Sequence, residues 1–167
     1  MSQRSFFRGP ESRAVDAVIA RPAGRARPSG AVTGFSAGTL ILTLDGELPV
    51  EHLGVGDRVI TRSGARAVTG VSAEMVKGAF TVRPHRLGHD RPEATMSLGP
   101  GQELLLRDWR ARALYRQDQA RIPVARLVDG EYITRAAGPL RLFRLEFAQD
   151  EVIYAGGLEA AVPASGG

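Results

Sequence analysis

The chain has 167 residues, of which 43% are hydrophobic and 24% are charged, with 20 glycines, 10 prolines and no cysteine. This length suits about one globular domain with a sizeable core, and the glycine and proline content predicts many turns. The lack of cysteine excludes disulfide bonds, a thiolate nucleophile and a cysteine-based zinc site. Because no apolar run is long enough to span a bilayer, we expect a cytoplasmic protein that does not enter the membrane, with export without a signal peptide left open.

The formal net charge of +4 comes from the N-terminal segment. Residues 1–33 hold six arginines against Glu11 and Asp16, whereas the rest of the chain has 16 basic and 16 acidic residues. Six arginines permit weak, salt-sensitive contact with nucleic acid, but the composition favours a solvated segment. We therefore predict a disordered basic tail and linker over 1–33, a folded domain over 34–162 and a flexible C-terminus over 163–167.

From Gly38 onwards, short β-prone segments alternate with turn signals. Leu40 to Leu44 is rich in strand-forming residues and runs into Asp45-Gly46, a favoured hairpin turn. Further strands are predicted at 57–62, 65–83 (two strands around Lys77-Gly78), 94–98, 103–107, 143–147 and 151–155. This arrangement predicts an all-β domain without a long helix.

Five stretches carry a family resemblance: Gly38-Thr39-Leu40-Ile41, Gly54-Val55-Gly56-Asp57, Ile122 to Gly130, Phe143 to Phe147 and Glu151 to Gly157. In this order and spacing, the chain from Gly34 to Val162 resembles the hedgehog/intein (Hint) self-processing domain, particularly its short bacterial versions. The resemblance implies the all-β Hint fold, a compact horseshoe-like architecture with two pseudo-symmetric halves.

One segment carries conflicting signals. Glu103 to Arg116 has a helix-forming composition, and Leu105, Trp109 and Ala113 fall at helical spacing. The resemblance implies two strands joined by a turn instead, and we follow it here. Trp109 is then expected in the core, and a short helical turn is expected at 124–128.

The resemblance also implies three chemical positions. The first is a thiol or hydroxyl directly after the scissile bond, and that place is held by Gly34. The second is a Thr-x-x-His box whose histidine protonates the departing nitrogen, and the corresponding residues are Gly99 and Gln102. The third is an asparagine that cyclises, and this chain contains no asparagine.

These replacements predict a site that is degenerate, with no intact catalytic residue. Glycine has no side chain to attack with, and the amide of Gln102 cannot transfer a proton near neutral pH. Ser36 is a possible substitute nucleophile because it lies two residues past Gly34, but it would have to cut the Phe35-Ser36 bond.

Other polar residues predict ordinary surface roles. His85 and His89 have metal-ligand spacing, but Pro84 and the neighbouring arginines favour a loop, so no metal and no cofactor is expected. His52 is expected to be exposed, and Asp150-Glu151 is expected at an exposed turn.

Two functions from different classes follow. The first is a Hint scaffold that has lost self-cleavage and serves as a binding or structural module, expected to be monomeric, with an unknown protein partner possible. The second is residual cleavage of the Thr33-Gly34 bond, which would release the N-terminal tail. Enzymatic activity is not the expectation, but it stays open at this point.

Overall fold

The computed structural model describes residues 31–87 and 90–165. Most of the predicted disordered tail, His89 of the histidine pair and the last two residues of the predicted flexible C-terminus lie outside the described residues.

Strands dominate the described part of the chain, so the all-β prediction is confirmed. The strands are β1 (Phe35–Ser36), β2 (Leu40–Thr43), β3 (Gly46–Pro49), β4 (Arg58–Thr61), β5 (Gly64–Ala67), β6 (Gly70–Val76), β7 (Phe80–Val82), β8 (Met96–Leu98), β9 (Glu103–Leu106), β10 (Ala120–Pro123), β11 (Ile133–Arg135), β12 (Leu140–Glu146), β13 (Glu151–Ala155) and β14 (Leu158–Val162). An α-helix, α1, covers Trp109–Tyr115, and two 3-10 helices cover Val50–His52 and Val124–Arg126.

The strands form two antiparallel sheets. One has six strands in the order β11-β7-β8-β1-β12-β6. The other has eight, in the order β10-β9-β14-β13-β2-β4-β5, with β3 paired to β2. Both sheets contribute to one hydrophobic core, with Phe35 and Leu98 from the first and Ile41, Leu104 and Ile153 from the second. The short strand β1 therefore lies inside its sheet, between β8 and β12.

Two hairpins close with the same side-chain device. At the β2–β3 turn, the Thr43 hydroxyl donates to the Gly46 carbonyl at 2.7 Å and accepts from the Asp45 N–H at 3.1 Å. At the β4–β5 turn, Thr61 makes the same two bonds with Gly64 and Ser63, at 2.7 and 3.1 Å. Each buried threonine thus hydrogen-bonds two backbone groups of its turn, as expected for hydroxyls at tight turns. The hairpin predicted here is present, but its turn residues are Leu44-Asp45 rather than Asp45-Gly46, and Gly46 begins β3 opposite Thr43.

The segment after β9 differs from the predicted pair of strands joined by a turn. Instead of a second strand, α1 begins after Asp108, whose carboxylate accepts from the Arg110 N–H at 2.9 Å as an N-cap. Ala111 is the buried residue of the helix, and Trp109 is 69% exposed, so the prediction that Trp109 lies in the core was wrong. In the described ranges, no helix is long and apolar enough to cross a membrane. The helical turn expected at 124–128 is present as the second 3-10 helix.

Glu151 corrects a second expectation, because its side chain is buried rather than exposed at the turn. Ser63 donates to one carboxylate oxygen, and Arg66 and Gln149 donate to the other at 3.0 and 3.1 Å. Burial by itself raises the pKa of Glu151, but these hydrogen bonds and one from Thr61 outweigh it and hold the pKa below its usual value. The carboxylate therefore fastens the β4–β5 hairpin to β13.

The lowered pKa of Glu151 predicts a pH-dependent stability. The contribution of the ionised carboxylate is full above the unfolded pKa, near 4.5, and is lost as the pH falls through the lower folded pKa. We expect Glu151→Gln to unfold at lower urea concentration at neutral pH, by about 1–3 kcal/mol. The difference from the parent should shrink in acid. Exposed Glu47 supplies the control, since Glu47→Gln should match the parent throughout. A Glu151→Gln deficit that is the same at every pH would contradict the assignment.

Candidate functional site

The chain enters the domain as an extension of β1. The Gly101 N–H donates to the Val32 carbonyl at 2.8 Å, and the Gly99 N–H donates to the Gly34 carbonyl at 3.0 Å. These bonds continue the pairing of β1 with β8, where Phe35 lies opposite Leu98. The Val32 side chain packs against an apolar cluster on the same sheet. The segment on both sides of the Thr33-Gly34 bond is therefore held in an extended conformation.

The side chain of Gln102 forms a hydrogen bond with the nitrogen of the Thr33-Gly34 peptide bond. Its Oε1 accepts from the Gly34 N–H at 3.2 Å, and its Nε2 donates to the carbonyls of Ala161 at 2.8 Å and Glu103 at 3.1 Å. The side chain is 1% exposed. One buried amide therefore connects β1, the start of β9 and the last strand, β14.

The two donor bonds determine which way this amide faces. If its oxygen and nitrogen were exchanged, an NH₂ group would face the Gly34 N–H and an oxygen would face two carbonyls. Oε1 must therefore point at the nitrogen of the Thr33-Gly34 bond. An oxygen in that position accepts a hydrogen bond from the nitrogen and has no proton to donate to it.

Glycine at position 99 is required by close backbone approach. A Cβ there would lie 2.4 Å from the Val32 carbonyl oxygen and 2.9 Å from the Thr33 Cα. A Cβ at Gly101 would lie 2.6 Å from the Ala31 Cβ. We call Gly99 and Gly101 the glycine bed, because the entering segment lies directly on them. A threonine side chain at position 99 does not fit this arrangement.

Position 34 is also adapted to glycine. Its φ is +130°, a value that side-chain-bearing residues rarely adopt, and a Cβ would lie 2.9 Å from the Phe143 carbonyl oxygen. A cysteine or serine at this position would require both a new backbone conformation and a shift of β12.

The sequence from residue 33 to 162 matches the family model described as Hint domain. This match covers most of the chain. The chain belongs to the Hint domain family.

Solved structures agree with the fold of this Hint domain. The solution structure of a bacterial intein-like domain from Clostridium thermocellum aligns with a TM-score of 0.56 at 15% identity, covering 80% of this chain and 99% of that one. The gp41-1 intein aligns with 0.54 at 14%, covering 77% and 98%. A DnaB intein from Synechocystis sp. PCC 6803 aligns with 0.53 at 14%, covering 80% and 99%. At these identities, the likeness concerns the fold alone. No curated protein matches the chain.

Ser36 is engaged away from the Thr33-Gly34 bond of this Hint domain. Its hydroxyl accepts from the Ser97 N–H at 2.9 Å and lies 3.5 Å from the Thr39 hydroxyl. Because the Ser36 oxygen accepts a hydrogen bond from a backbone N–H of β8, it points towards that strand. Attack by this hydroxyl on the Phe35-Ser36 bond stays a prediction.

The remaining polar candidates lie apart from the site. His52 is exposed on its 3-10 helix, as predicted. His85 is exposed in the loop before β8, where its Nδ1 lies 2.9 Å from the Asp90 carbonyl oxygen. Among the described residues, no group of three or more His, Cys, Asp or Glu side chains has the arrangement to hold a metal ion.

Sequence reasoning missed one member of the site, Ala161. Its backbone carbonyl orients the amide of Gln102, and a backbone group leaves no signal in residue type. The glycine bed did have a signal, since two glycines flank Pro100 directly before Gln102. In the structure this stretch forms a turn, closed by the Gln102 N–H donating to the Gly99 carbonyl at 2.9 Å, and its glycines also permit close approach.

The glycine bed predicts a large asymmetry between two alanine substitutions. Gly99→Ala should lower the free energy of unfolding by about 1–3 kcal/mol, because backbone atoms of residues 32 and 33 must move. Amide exchange of the Gly101 N–H should accelerate at the same time. Gly138 has open space around the position of a Cβ, so Gly138→Ala should stay within about 0.5 kcal/mol of the parent. Equal effects in urea denaturation would contradict the steric argument.

Proposed function

We propose that this Hint domain has lost self-cleavage and serves as a binding or structural module that keeps its N-terminal segment covalently attached. The observation that carries the proposal is the buried hydrogen bond from the Gly34 N–H to Gln102 Oε1 at 3.2 Å. In the chemistry implied by the family resemblance, the group facing this nitrogen donates a proton as the bond breaks. Here that group is a hydrogen-bond acceptor.

The nucleophilic half of the reaction is missing as well. An acyl shift needs a side-chain oxygen or sulfur on the residue after the scissile bond, and Gly34 has neither. The nearby hydroxyl of Ser36 accepts from the β8 backbone. Without an attacking atom or a proton donor, the amide bond keeps its ordinary stability.

The glycine bed, which leaves no room for a catalytic threonine, also helps to hold the N-terminal segment against the domain. The glycine bed lets residues 31–33 lie close to the turn after β8, and the backbone hydrogen bonds accepted by Val32 and Gly34, with the packing of Val32, hold the segment there. We therefore infer that the bound element is the chain's own entering segment. A domain of this kind would present whatever precedes residue 31 from a fixed point on its six-stranded sheet.

Intact mass spectrometry of freshly expressed protein tests the proposal against the alternative of residual cleavage. We expect one species with the mass of the 167-residue chain, unchanged after long incubation and with added thiol nucleophiles. A species that begins at Gly34 would establish residual cleavage and contradict the proposal. A species that begins at Ser36 and disappears in Ser36→Ala would instead assign the reaction to that hydroxyl.

A double variant tests whether a nucleophile and a proton donor alone would restore cleavage. We expect Gly34→Cys combined with Gln102→His to stay uncut, because a Cβ at residue 34 meets the Phe143 carbonyl and Gly99 offers no hydroxyl. Thermal denaturation should show that the variant is destabilised relative to Gln102→His alone. Efficient cleavage by the double variant would mean that only two side chains separate this domain from activity.

A further inference from the structure

We propose a second binding site, for a carboxylate joined to an apolar group, in a cavity at the opposite end of β9 and β14 from Gln102. The cavity has a volume of about 450 Å³. Its lining residues come from the end of β9, the β13–β14 hairpin and the loop before β8: Arg91, Leu105, Leu106, Arg107, Asp108, Tyr154, Gly157, Leu158 and Glu159. We call it the β9–β14 cavity.

The cavity is lined by buried apolar side chains and by polar residues that neighbouring strands hold in place. Leu105, Leu106 and Leu158 are each about 95% buried, and Tyr154 lies opposite Glu159 on the neighbouring strand. Arg91 rests against Gly157, where a Cβ would lie 2.8 Å from the Arg91 Cδ. An apolar interior with a few convergent polar groups, in the size range of 300–1,000 Å³, is typical of ligand sites.

The charges around the cavity favour an anion over a cation. The lining itself is neutral, but when the ion-pair partners Arg62, Arg110 and Glu93 are included, four guanidinium groups face three carboxylates. Both lining carboxylates already have arginine partners. Asp108 caps α1 and pairs with Arg110 at 2.6 Å. Glu159 accepts from two nitrogens of Arg107, at 2.5 and 3.2 Å, and lies 3.7 Å from an Arg62 nitrogen. Two guanidinium groups therefore share the single carboxylate of Glu159.

Arg107 is the residue suited to receive the anion. Its bonds to Glu159 and Gln119 use three of the five guanidinium donors, and its side chain is 43% exposed. A guanidinium binds carboxylates through paired N–H donors, which gives geometric specificity as well as charge. An apolar group attached to that carboxylate would fill the space beside the three leucines and the Tyr154 ring.

Two sources present this chemistry. One is the end of a polypeptide whose last residue is large and apolar, and the other is a free organic acid. Trp109 directly follows the lining residue Asp108 and is 69% exposed. It is also the only tryptophan of the chain and therefore a fluorescence reporter for this region.

The experiment titrates the full-length protein with N-acetyl-leucyl-phenylalanine, with its C-terminal amide and with 4-phenylbutyrate. Binding is followed by Trp109 fluorescence and by backbone NMR shifts at Leu105, Leu158 and Tyr154. We expect saturable binding of at least one acid and binding of the amide weaker by about tenfold or more, as expected for loss of a charged hydrogen-bond partner. Saturation by the peptide acid alone assigns the site to a chain end, and saturation by phenylbutyrate alone assigns it to free acids.

Matched variants connect binding to the cavity. Arg107→Gln and Arg91→Gln should each weaken acid binding by about tenfold. Arg112→Gln removes an exposed arginine of α1 that pairs with Asp118, and it should leave binding unchanged. Circular dichroism verifies that each variant is folded, and two cavity variants keep the test decisive if one is not. Absence of saturable binding by either acid, equal binding of acid and amide, or equal effects of Arg107→Gln and Arg112→Gln would overturn the proposal.

Discussion

The buried amide of Gln102 is the contact on which the arrangement of this domain depends. Its three hydrogen bonds satisfy the Gly34 N–H and the carbonyls of Glu103 and Ala161 in a place that is nearly closed to solvent. A buried backbone group without a partner costs about 1–3 kcal/mol, so none of these three segments can move without leaving another unsatisfied. The amide therefore fixes the entry of the chain, the start of β9 and the last strand relative to one another.

Close backbone approach supports this contact. Because Gly99 and Gly101 carry no side chain, the carbonyls of Gly34 and Val32 lie close enough to accept from their N–H groups. The same approach excludes a threonine at position 99. The residues at positions 34, 99 and 101 thus share one local geometry, in which the absence of side chains lets the chain before Gly34 lie close to the turn after β8.

Strands β9 and β14 serve two regions at once. At one end they supply the groups around Gln102, and at the other they line the β9–β14 cavity with Leu105 and Leu158. The short helix α1 follows β9 directly, and its cap, Asp108, lines that cavity as well. A ligand held by Arg107 would therefore contact the same two strands that position the amide, without contacting the Thr33-Gly34 bond.

Local sequence determined the strand class and the first hairpin to within one residue, because Asp45-Gly46 and alternating residues such as Phe80 and Val82 specify structure through their immediate neighbours. The family resemblance implied that Gly34 and Gln102 belong to one site, although only the fold brought the nitrogen of one within 3.2 Å of the oxygen of the other. Tertiary structure decided the burial of Glu151 and the exposure of Trp109. The spacing of Leu105, Trp109 and Ala113 spans the end of β9 and the start of α1, so it describes no single face. Burial depends on which strands cover a residue, and those strands come from distant parts of the chain.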